Sequence, residues 1–176
     1  MTGSLLQIPL SRDAVVTSEI EFRLFQHGDA VAFRELNEAW ISRYFLLEEQ
    51  DRIQLGDPEG KILRSGGQIV MALAGAEKIG CCALVFVRRG VFEVAKMAVS
   101  ESYRGRGIGR KLLEYTIAQA KALGAHTLEL ASNSKLANAV HLYESAGFRH
   151  LPPERVERSP YARANVFMEL PLLPAE

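Results

Sequence analysis

One segment, VFEVAKMAVSESYRGRGIGR at Val91–Arg110, limits the possible folds of this chain more than any other. Its first part predicts a β-strand and a short turn, after which Gly105, Gly107 and Gly109 lead directly into a predicted helix. Bare glycines let backbone N–H groups approach an anion closely, and the helix dipole favours negative charge at the N-terminus. The segment therefore predicts an α/β domain that holds a phosphorylated cofactor between a strand and a helix.

The length and composition are those of one ordinary globular domain. The 176 residues are 48% hydrophobic and 24% charged, which suffices to bury most of the apolar surface. Lys and Arg (21) balance Asp and Glu (21), whereas a nucleic-acid-binding protein usually has a basic excess, so no nucleic-acid partner is expected. Residues 1–18 lack periodicity and are predicted to be a loosely ordered leader before a single domain at 19–176.

The cysteines and the apolar runs indicate where the protein resides. Cys81 and Cys82 are neighbours on a predicted strand, so they point to opposite faces and are expected to be small, unpaired core residues of a reducing compartment. No apolar run reaches the ~18 residues of a membrane span, and the N-terminus lacks the pattern of a signal peptide. We therefore expect a cytoplasmic protein without a membrane partner.

Hydrophobic periodicity predicts seven strands and four helices, in an order typical of a mixed sheet with a right-handed parallel crossover around the glycine loop. The predicted strands are 20–25, 67–76, 78–90, 91–99, 126–132, 148–151 and 164–170. The first helix carries Phe33, Leu36, Asn37, Trp40, Ile41 and Tyr44 after an N-cap at Asp29, and the second is 47–55. The third places Leu113, Ile117 and Ala120 on one stripe beside Leu112 and Leu123 and ends at Gly124, and the fourth, 136–147, ends at Gly147.

Two common phosphate loops do not fit the glycine-rich segment. A dinucleotide fingerprint needs a third glycine where Arg110 stands, although Glu129 lies roughly twenty residues on, where a ribose-binding acid is expected. A Walker-type loop needs Gly-Lys-Ser/Thr, which the chain does not contain. A turn that binds nothing has no use for three alternating glycines, because each costs backbone entropy.

The remaining pattern is [Arg/Gln]-x-x-Gly-x-[Gly/Ala], which Arg104, Gly107 and Gly109 satisfy. With the preceding EVAKMAV, the following GRKLLEYTIAQAKALGA and the later LYESAGF, it resembles the acetyl-CoA pyrophosphate loop of the GNAT superfamily of N-acetyltransferases, and the likeness extends from about Ile20 to Leu170. It implies an α/β (α+β) GNAT fold, with a mixed sheet of about six to seven strands splayed at the cofactor site and about four flanking helices. It also implies acetyl transfer from acetyl-CoA to a primary amine by direct attack in a ternary complex.

The resemblance also implies cofactor contacts. Main-chain amides of the glycine loop would hold the pyrophosphate, the pantetheine arm would pair with the preceding strand, and the N–H of Met97 would stabilise the oxyanion. Leu136 stands where many members have an asparagine, so Asn133 or Asn138 would either replace that contact or merely turn the chain. The implied cofactor-binding residues are Met97, Ala98, Val99, Arg104, Gly105, Arg106, Gly107, Ile108, Gly109, Arg110, Asn133, Asn138 and Tyr143.

Two side chains match catalytic positions of the family. Glu93 matches the glutamate that acts as general base in some members. Tyr143 matches the tyrosine that, in many members, protonates or hydrogen-bonds the departing coenzyme A thiolate. Independently, Glu93 and Lys96 lie on faces of opposite parity in a short apolar strand, which disfavours an ion pair between them. Such charges are costly unless one reaches an open cleft, so a β-bulge is expected here. A structural Glu93 and a core Tyr143 are the alternatives.

The resemblance says little about the residues that recognise the acceptor. In this family they belong to the first helices and the last strands, which vary most between members. A pocket for a cationic amine is one interpretation of the first helices, and packing on the sheet is the other, favoured for Trp40. Near the last strand, Tyr161 and Arg163 either hold a substrate carboxylate or are exposed loop residues. The candidates are Trp40, Tyr44, Phe45, Glu48, Asp51, Tyr161 and Arg163, and the four histidines show no metal-ligand spacing, so no metal is expected.

The predicted function is therefore N-acetylation of a small-molecule or peptide amine. A protein lysine or N-terminal acetyltransferase is one alternative, and a non-catalytic acyl-CoA sensor is another. A nucleic-acid-binding module that uses Arg88, Arg89 and the loop arginines is a third. The resemblance implies a homodimer, since many members dimerise, although no residue locates an interface.

Overall fold

The computed structural model describes residues 19–172, so the prediction for residues 1–18 lies outside it. All eleven predicted helices and strands are present in this range. They are β1 (Ile20–Leu24), α1 (Ala30–Tyr44), α2 (Glu49–Gly56), β2 (Gln68–Ala74), β3 (Glu77–Arg88), β4 (Val91–Val99), α3 (Ile108–Ala122), β5 (Thr127–Ser132), α4 (Ala137–Ser145), β6 (Arg149–His150) and β7 (Val166–Pro171). Across the described residues, no helix has both the length and the apolar character that a membrane crossing requires.

The strands form one seven-stranded mixed sheet in the order β1-β2-β3-β4-β5-β7-β6. The pair β4–β5 is parallel, and the other neighbouring strands are antiparallel. Helix α3 connects the two parallel strands, because parallel neighbours cannot be joined by a tight hairpin. The parallel connection predicted around the glycine loop is therefore confirmed.

The two parallel strands separate soon after they pair. Residues Val91–Glu93 of β4 pair with Thr127–Glu129 of β5, and the pairing of the two strands ends there. Farther along β4, Lys96 and Met97 both face the single residue Cys82, because the register passes from Ala83↔Ala95 to Cys81↔Ala98. This is the predicted β-bulge, and together with the short pairing it opens the sheet beside the second half of β4.

Apolar side chains pack on both faces of the sheet. Cys82, on β3, belongs to the core that α3 covers, whereas Cys81 belongs to the core beneath α1 and α2. Both cysteines are buried and unpaired, as the alternation along a strand predicts. The sheet is therefore held between two helical layers, and the opening of the strands lies between them.

Asp29 directly precedes α1, as predicted, but its side chain does not cap that helix. The chain enters α1 through a short 3-10 turn, so Asp29 has helical φ and ψ of −91° and −10° rather than the extended backbone of a capping residue. The buried carboxylate instead accepts the N–H of Gln26 at 2.8 Å and pairs with Arg23 at 2.6 Å and Lys78 at 3.4 Å. It fastens β1 to the start of the helical layer.

The buried face of α3 differs slightly from the predicted stripe. Thr116 is fully buried, whereas Ile117 is half-buried and Leu123 is exposed. Thr116 can face the core because its hydroxyl donates to the carbonyl of Leu112 at 2.8 Å, which satisfies its polar atom inside the helix. Leu123 is the C-cap residue, and Gly124 follows it with a φ of +77°, as the predicted helix end requires.

Candidate active site

A cavity of about 600 Å³ lies where β4 leaves β5. Its wall comes from α1, β4, the glycine loop, the end of β5, α4 and the loop at 161–164. Eighteen of the 21 residues predicted to bind cofactor or acceptor, or to act in catalysis, line it, and Arg106, Glu48 and Asp51 do not. The fold thus gathers positions that lie more than 120 residues apart in the chain, from Trp40 to Arg163.

The glycine loop presents uncapped backbone amides to this cavity. Gly105 and Gly107 have φ values of +73° and +74°, which L side chains rarely adopt, and Gly107 is the N-cap residue of α3. No side chain among the described residues caps α3. The first N–H groups of a helix have no partner inside it, so this end of the cavity offers donors and a positive dipole to an anion.

Gly109 has a different explanation from its two neighbours. It lies inside the first turn of α3, and its φ is not in the left-handed region. A Cβ at this position would make ordinary contacts of 3.7 Å with Met97 and Leu142. Neither backbone strain nor packing within the protein requires glycine at this position. We infer that glycine is used here because a side chain would occupy the cavity beside the helix.

The three loop arginines have different environments. Arg104 donates from Nε to the carbonyl of Val99 at 3.0 Å, and its guanidinium lies 4.8 Å from the ring centre of Trp40. Arg110 donates to the hydroxyl of Ser145 at 2.6 Å. The guanidinium of Arg106 lies over Tyr103 and outside the cavity wall, so a cofactor contact by Arg106 would be made by its main chain.

Glu93 lines the opposite end of the cavity and is half-buried. Burial raises the pKa of its carboxyl group, the charge of Lys96 opposes this shift, and the neighbouring carboxylate of Glu129 raises the pKa further. Glu129 faces Glu93 in the β4–β5 register but pairs with Arg88 at 2.8 Å and lies outside the cavity wall. Of these two neighbouring carboxylates, Glu93 alone can reach a molecule in the cavity.

Lys96 makes no ion pair with Glu93 in the described chain. Its buried ammonium donates instead to Asp51 at 2.9 Å and to the hydroxyl of Tyr161 at 2.8 Å. Lys96 has a φ of +50°, the one positive φ of a non-glycine residue within residues 19–172, because it occupies the bulge. The strained backbone and the buried ammonium together fix the bulge against α2 and the 161–164 loop.

This contact is part of a polar cluster, Glu48, Asp51, Lys96, Tyr161 and Arg163, which sequence reasoning missed as a unit. Arg163 binds Asp51 through two nitrogens at 2.7 and 2.9 Å and Glu48 through one at 3.1 Å. Asp51 is fully buried and thus neutralises two cations at once. Charged residues in apolar surroundings were the only sequence signal, and they do not reveal which partners meet.

Several acceptor predictions change accordingly. Glu48 does not face the cavity, because its carboxylate accepts the N–H of Ala162 at 2.8 Å and binds Arg163. Tyr161 is buried rather than exposed, and its hydroxyl donates to Gln54 at 3.2 Å. The cluster draws these residues inward because an unpaired charge in this position would be costly.

The cavity wall beside the polar cluster is otherwise aromatic. Trp40, Tyr44 and Phe45 line the cavity, with ring centres 5.0 Å apart for Trp40 and Tyr44 and 6.3 Å apart for Tyr44 and Phe45. Trp40 packs against the core on one side, as predicted, and borders the cavity on the other. This helix face therefore both packs on the core and borders the cavity.

Tyr143 and the two asparagines, Asn133 and Asn138, also line the cavity. The hydroxyl of Tyr143 lies 4.0 Å from the sulfur of Met97, and burial raises the pKa of the phenol, so it stays protonated at neutral pH. Asn133 turns the chain by donating to the carbonyl of Arg163 at 2.6 Å and accepting the N–H of Lys135 at 2.8 Å. Asn138 is exposed on the first turn of α4.

Within residues 19–172, no three His, Cys, Asp or Glu side chains gather into a metal site.

The buried carboxylate of Asp51 makes acid stability testable. Burial alone would raise its pKa, but Arg163 and Lys96 outweigh burial and hold the pKa at about 2, below the ordinary 3.8. The ionised form is thus favoured by folding, and its contribution is present above about pH 4 and lost as the pH falls through about 2. We expect Asp51→Asn to lower the free energy of unfolding at pH 7 by about 2 kcal/mol or more and to flatten its decline below pH 4.

Urea denaturation at several pH values measures this effect. Glu49→Gln is the matched control, because Glu49 is an exposed carboxylate in the same first turn of α2 and should change stability little. Equal stability of Asp51→Asn and the control at pH 7 would contradict the assigned contacts.

Comparisons with known proteins identify the family. The family model described as Acetyltransferase (GNAT) domain matches residues 65–150. The chain is 33% identical over 105 residues to an uncharacterized N-acetyltransferase, YvbK, of Bacillus subtilis, covering 58% of this chain and 68% of that protein. It is 32% identical over 108 residues to an IAA acetyltransferase of Azospirillum brasilense, covering 60% and 68% of the two chains. The chain therefore belongs to the GNAT acetyltransferase family, which confirms the predicted class of enzyme, an acyltransferase.

Solved structures confirm the predicted fold. An acetyltransferase of the GNAT family from Staphylococcus aureus superposes with a TM-score of 0.79 at 22% identity, covering 88% of this chain and all of that one (100%). The acetyltransferase yncA of Salmonella typhimurium, solved with its cofactor acetyl-CoA, superposes with a TM-score of 0.68 at 20% identity and covers 86% and 93% of the two chains. The open, seven-stranded mixed sheet with flanking helices is thus the GNAT fold.

Proposed function

We propose that this chain transfers the acetyl group of acetyl-CoA to the primary amine of a small molecule or peptide within a ternary complex. One observation carries the proposal: a single cavity has uncapped helix amides at one end and a half-buried carboxylate, Glu93, at the other. An anionic cofactor and a cationic acceptor suit these opposite ends. The complex of yncA with acetyl-CoA, in a protein of the same fold, supports the same cofactor.

The loop and β4 have the features that coenzyme A requires. The amides of residues 105–109 would bind the diphosphate, with the dipole of α3 behind them. From the bulge onward, the main chain of Met97, Ala98 and Val99 lies where no β5 residue pairs with it, so it is available to an extended arm. Acetyl-CoA supplies the thioester, and the N–H of Met97 would stabilise negative charge on its carbonyl oxygen.

Glu93 acts as the general base in this proposal. An amine arrives as an ammonium ion and must lose a proton before it can attack. The raised pKa of Glu93 makes its carboxylate a better proton acceptor than an ordinary surface glutamate, while its position on the cavity wall lets it accept the proton directly or through water. Tyr143 remains protonated and would donate to the departing sulfur.

Tyr143→Phe tests the role of the phenol. We expect kcat to fall by roughly tenfold or more, because the thiolate then leaves without a proton donor, while the affinity for coenzyme A stays nearly constant. Tyr115→Phe is the control, since Tyr115 packs against Phe22 and lies outside the cavity wall. Steady-state kinetics with free-thiol detection measure both variants, and an unchanged kcat for Tyr143→Phe would contradict this assignment.

The transfer reaction itself is tested by thiol release from acetyl-CoA in the presence of a panel of primary amines, with product masses as the second readout. We expect amine-dependent release and a mass increase of one acetyl group on the amine. Coenzyme A binding without turnover of any amine or peptide would favour the sensor alternative. Of the arginines that the nucleic-acid alternative would use, Arg88 is paired with Glu129, and a salt-titrated binding assay that shows no affinity for nucleic acid at low ionic strength would remove this alternative.

A further inference from the structure

The acceptor end of the cavity has two cations, but both are already neutralised. Lys96 and Arg163 line the wall beside Glu93, and behind them Asp51 and Glu48 hold the ion pairs described above. These four charges cancel, so the carboxylate of Glu93 is the one net charge of this group of five side chains, and the other cation near this wall, Arg104 over Trp40, is among the predicted cofactor residues. No described residue forms an ion pair with Glu93.

This arrangement opposes an acceptor that carries its own carboxylate. Arg163 is the cation that, in one of the two interpretations of the sequence, would hold such a group, yet its guanidinium already binds two carboxylates. A further anion beside it would lie near three carboxylates, Glu48, Asp51 and Glu93, and would be repelled by the net charge. The ion pairs therefore act against acidic acceptors.

The aromatic part of the same wall favours an apolar body. The rings of Trp40, Tyr44 and Phe45 lie side by side on the cavity wall. Each ring also has an arginine guanidinium over it, Arg104, Arg43 and Arg163 respectively, so an apolar body would pack on the ring surface that these cations leave free. Aromatic faces attract both apolar rings and cations. An ammonium directed at Glu93 and a hydrophobic body against these rings would use both properties.

We infer that the acceptor is a primary amine with an apolar, ring-sized body and no acidic group. This inference rests on the proposed function, since it names the substrate class of the same site. Glu48 is its positioning residue for specificity, because it lies outside the cavity wall and acts by occupying Arg163.

Matched acceptors test the inference. Phenethylamine is expected to react with a kcat/KM at least about tenfold higher than phenylalanine does, because the two compounds differ in the carboxylate. Phenylalaninamide, which keeps the size but not the charge, should behave like the amine. Tryptamine and tryptophan provide a second pair. Equal or better turnover of the amino acids would overturn the inference.

The variant Glu48→Gln tests the cause. Removing the charge of one of the two carboxylates bound to Arg163 should raise the kcat/KM for phenylalanine, relative to that for phenethylamine, by roughly threefold or more. The control Glu49→Gln removes a neighbouring exposed carboxylate and should leave this relative preference unchanged. An unchanged preference in Glu48→Gln would contradict this role of Glu48.

Direct binding of the same compounds, measured by calorimetry with coenzyme A present, separates this inference from the proposed reaction. Preferential binding of phenethylamine without turnover would support the acceptor class and contradict acetyl transfer. Turnover confined to carboxylate-bearing amines would support acetyl transfer and contradict the inferred acceptor class. Absence of both binding and turnover across the panel would overturn the inference and count against the transfer.

Discussion

Replacing Glu93 with glutamine is expected to lower kcat/KM for amine acetylation by about 10²–10³-fold at pH 7, with little change in affinity for coenzyme A. The amide keeps the size of the side chain on the cavity wall but cannot accept a proton from the ammonium ion. Coenzyme A affinity should be spared because the amides proposed to bind the diphosphate belong to the glycine loop, which follows the other end of β4. Steady-state kinetics and calorimetry measure the two quantities on one preparation.

Glu129→Gln is the matched control, because Glu129 is the carboxylate opposite Glu93 on the adjacent strand but does not line the cavity. Its maximal rate should stay within about twofold of the wild-type value.

The pH profile of the activity distinguishes the role of Glu93 from that of Glu129 in a second way. Glu93 must be ionised to act as a base, so activity rises with pH through its raised pKa and the acid limb lies above the ordinary glutamate range. Glu129→Gln removes a charge that raises this pKa, so its acid limb should shift to lower pH. Glu93→Gln should lose the limb altogether. Wild-type rates in Glu93→Gln would contradict its assignment as the base.

Gly109→Ala is expected to weaken coenzyme A binding by at least about tenfold while the free energy of unfolding stays the same or rises by up to about 1 kcal/mol. Alanine suits a helix better than glycine, and its Cβ would make only ordinary 3.7 Å contacts with Met97 and Leu142. The same methyl group would stand in the cavity wall, close to where the diphosphate is proposed to bind. Stability and affinity should therefore change in opposite directions.

Gly124→Ala provides the converse control at the other end of α3. Its φ of +77° penalises a side chain, although a Cβ there would meet no atom within 4 Å. We expect a loss of about 1 kcal/mol in stability and no change in coenzyme A affinity. Calorimetry and urea denaturation report both quantities. Wild-type affinity in Gly109→Ala would contradict the proposed diphosphate site.

Much of the fold could be predicted because its signals are local. Apolar periodicity predicted the four α-helices and seven strands, though not the short π-helix at Glu59–Leu63, and Gly124 and Gly147 marked the ends of α3 and α4. Glu93 and Lys96 in one apolar strand predicted the bulge of β4, since a charge there is tolerable only if the strand opens. These features depend on residues a few positions apart.

The polar cluster could not be predicted because its partners lie far apart in the chain. Lys96 meets Asp51 and Tyr161, which are 45 and 65 residues away, and no local pattern selects these partners over other charges. The resemblance to the family located the cofactor end through its motif, whereas the acceptor end has no motif. The sequence therefore suggests either a substrate carboxylate or no specific partner for Arg163, and neither interpretation includes its ion pairs with Glu48 and Asp51.

The most direct test of the central claim is a crystal structure of the protein with coenzyme A bound. We predict diphosphate oxygens within hydrogen-bonding distance of the backbone amides of residues 105–109, and the thiol beside Met97 and Tyr143. Coenzyme A bound elsewhere, or a diphosphate held by side chains while these amides contact only water, would contradict the account.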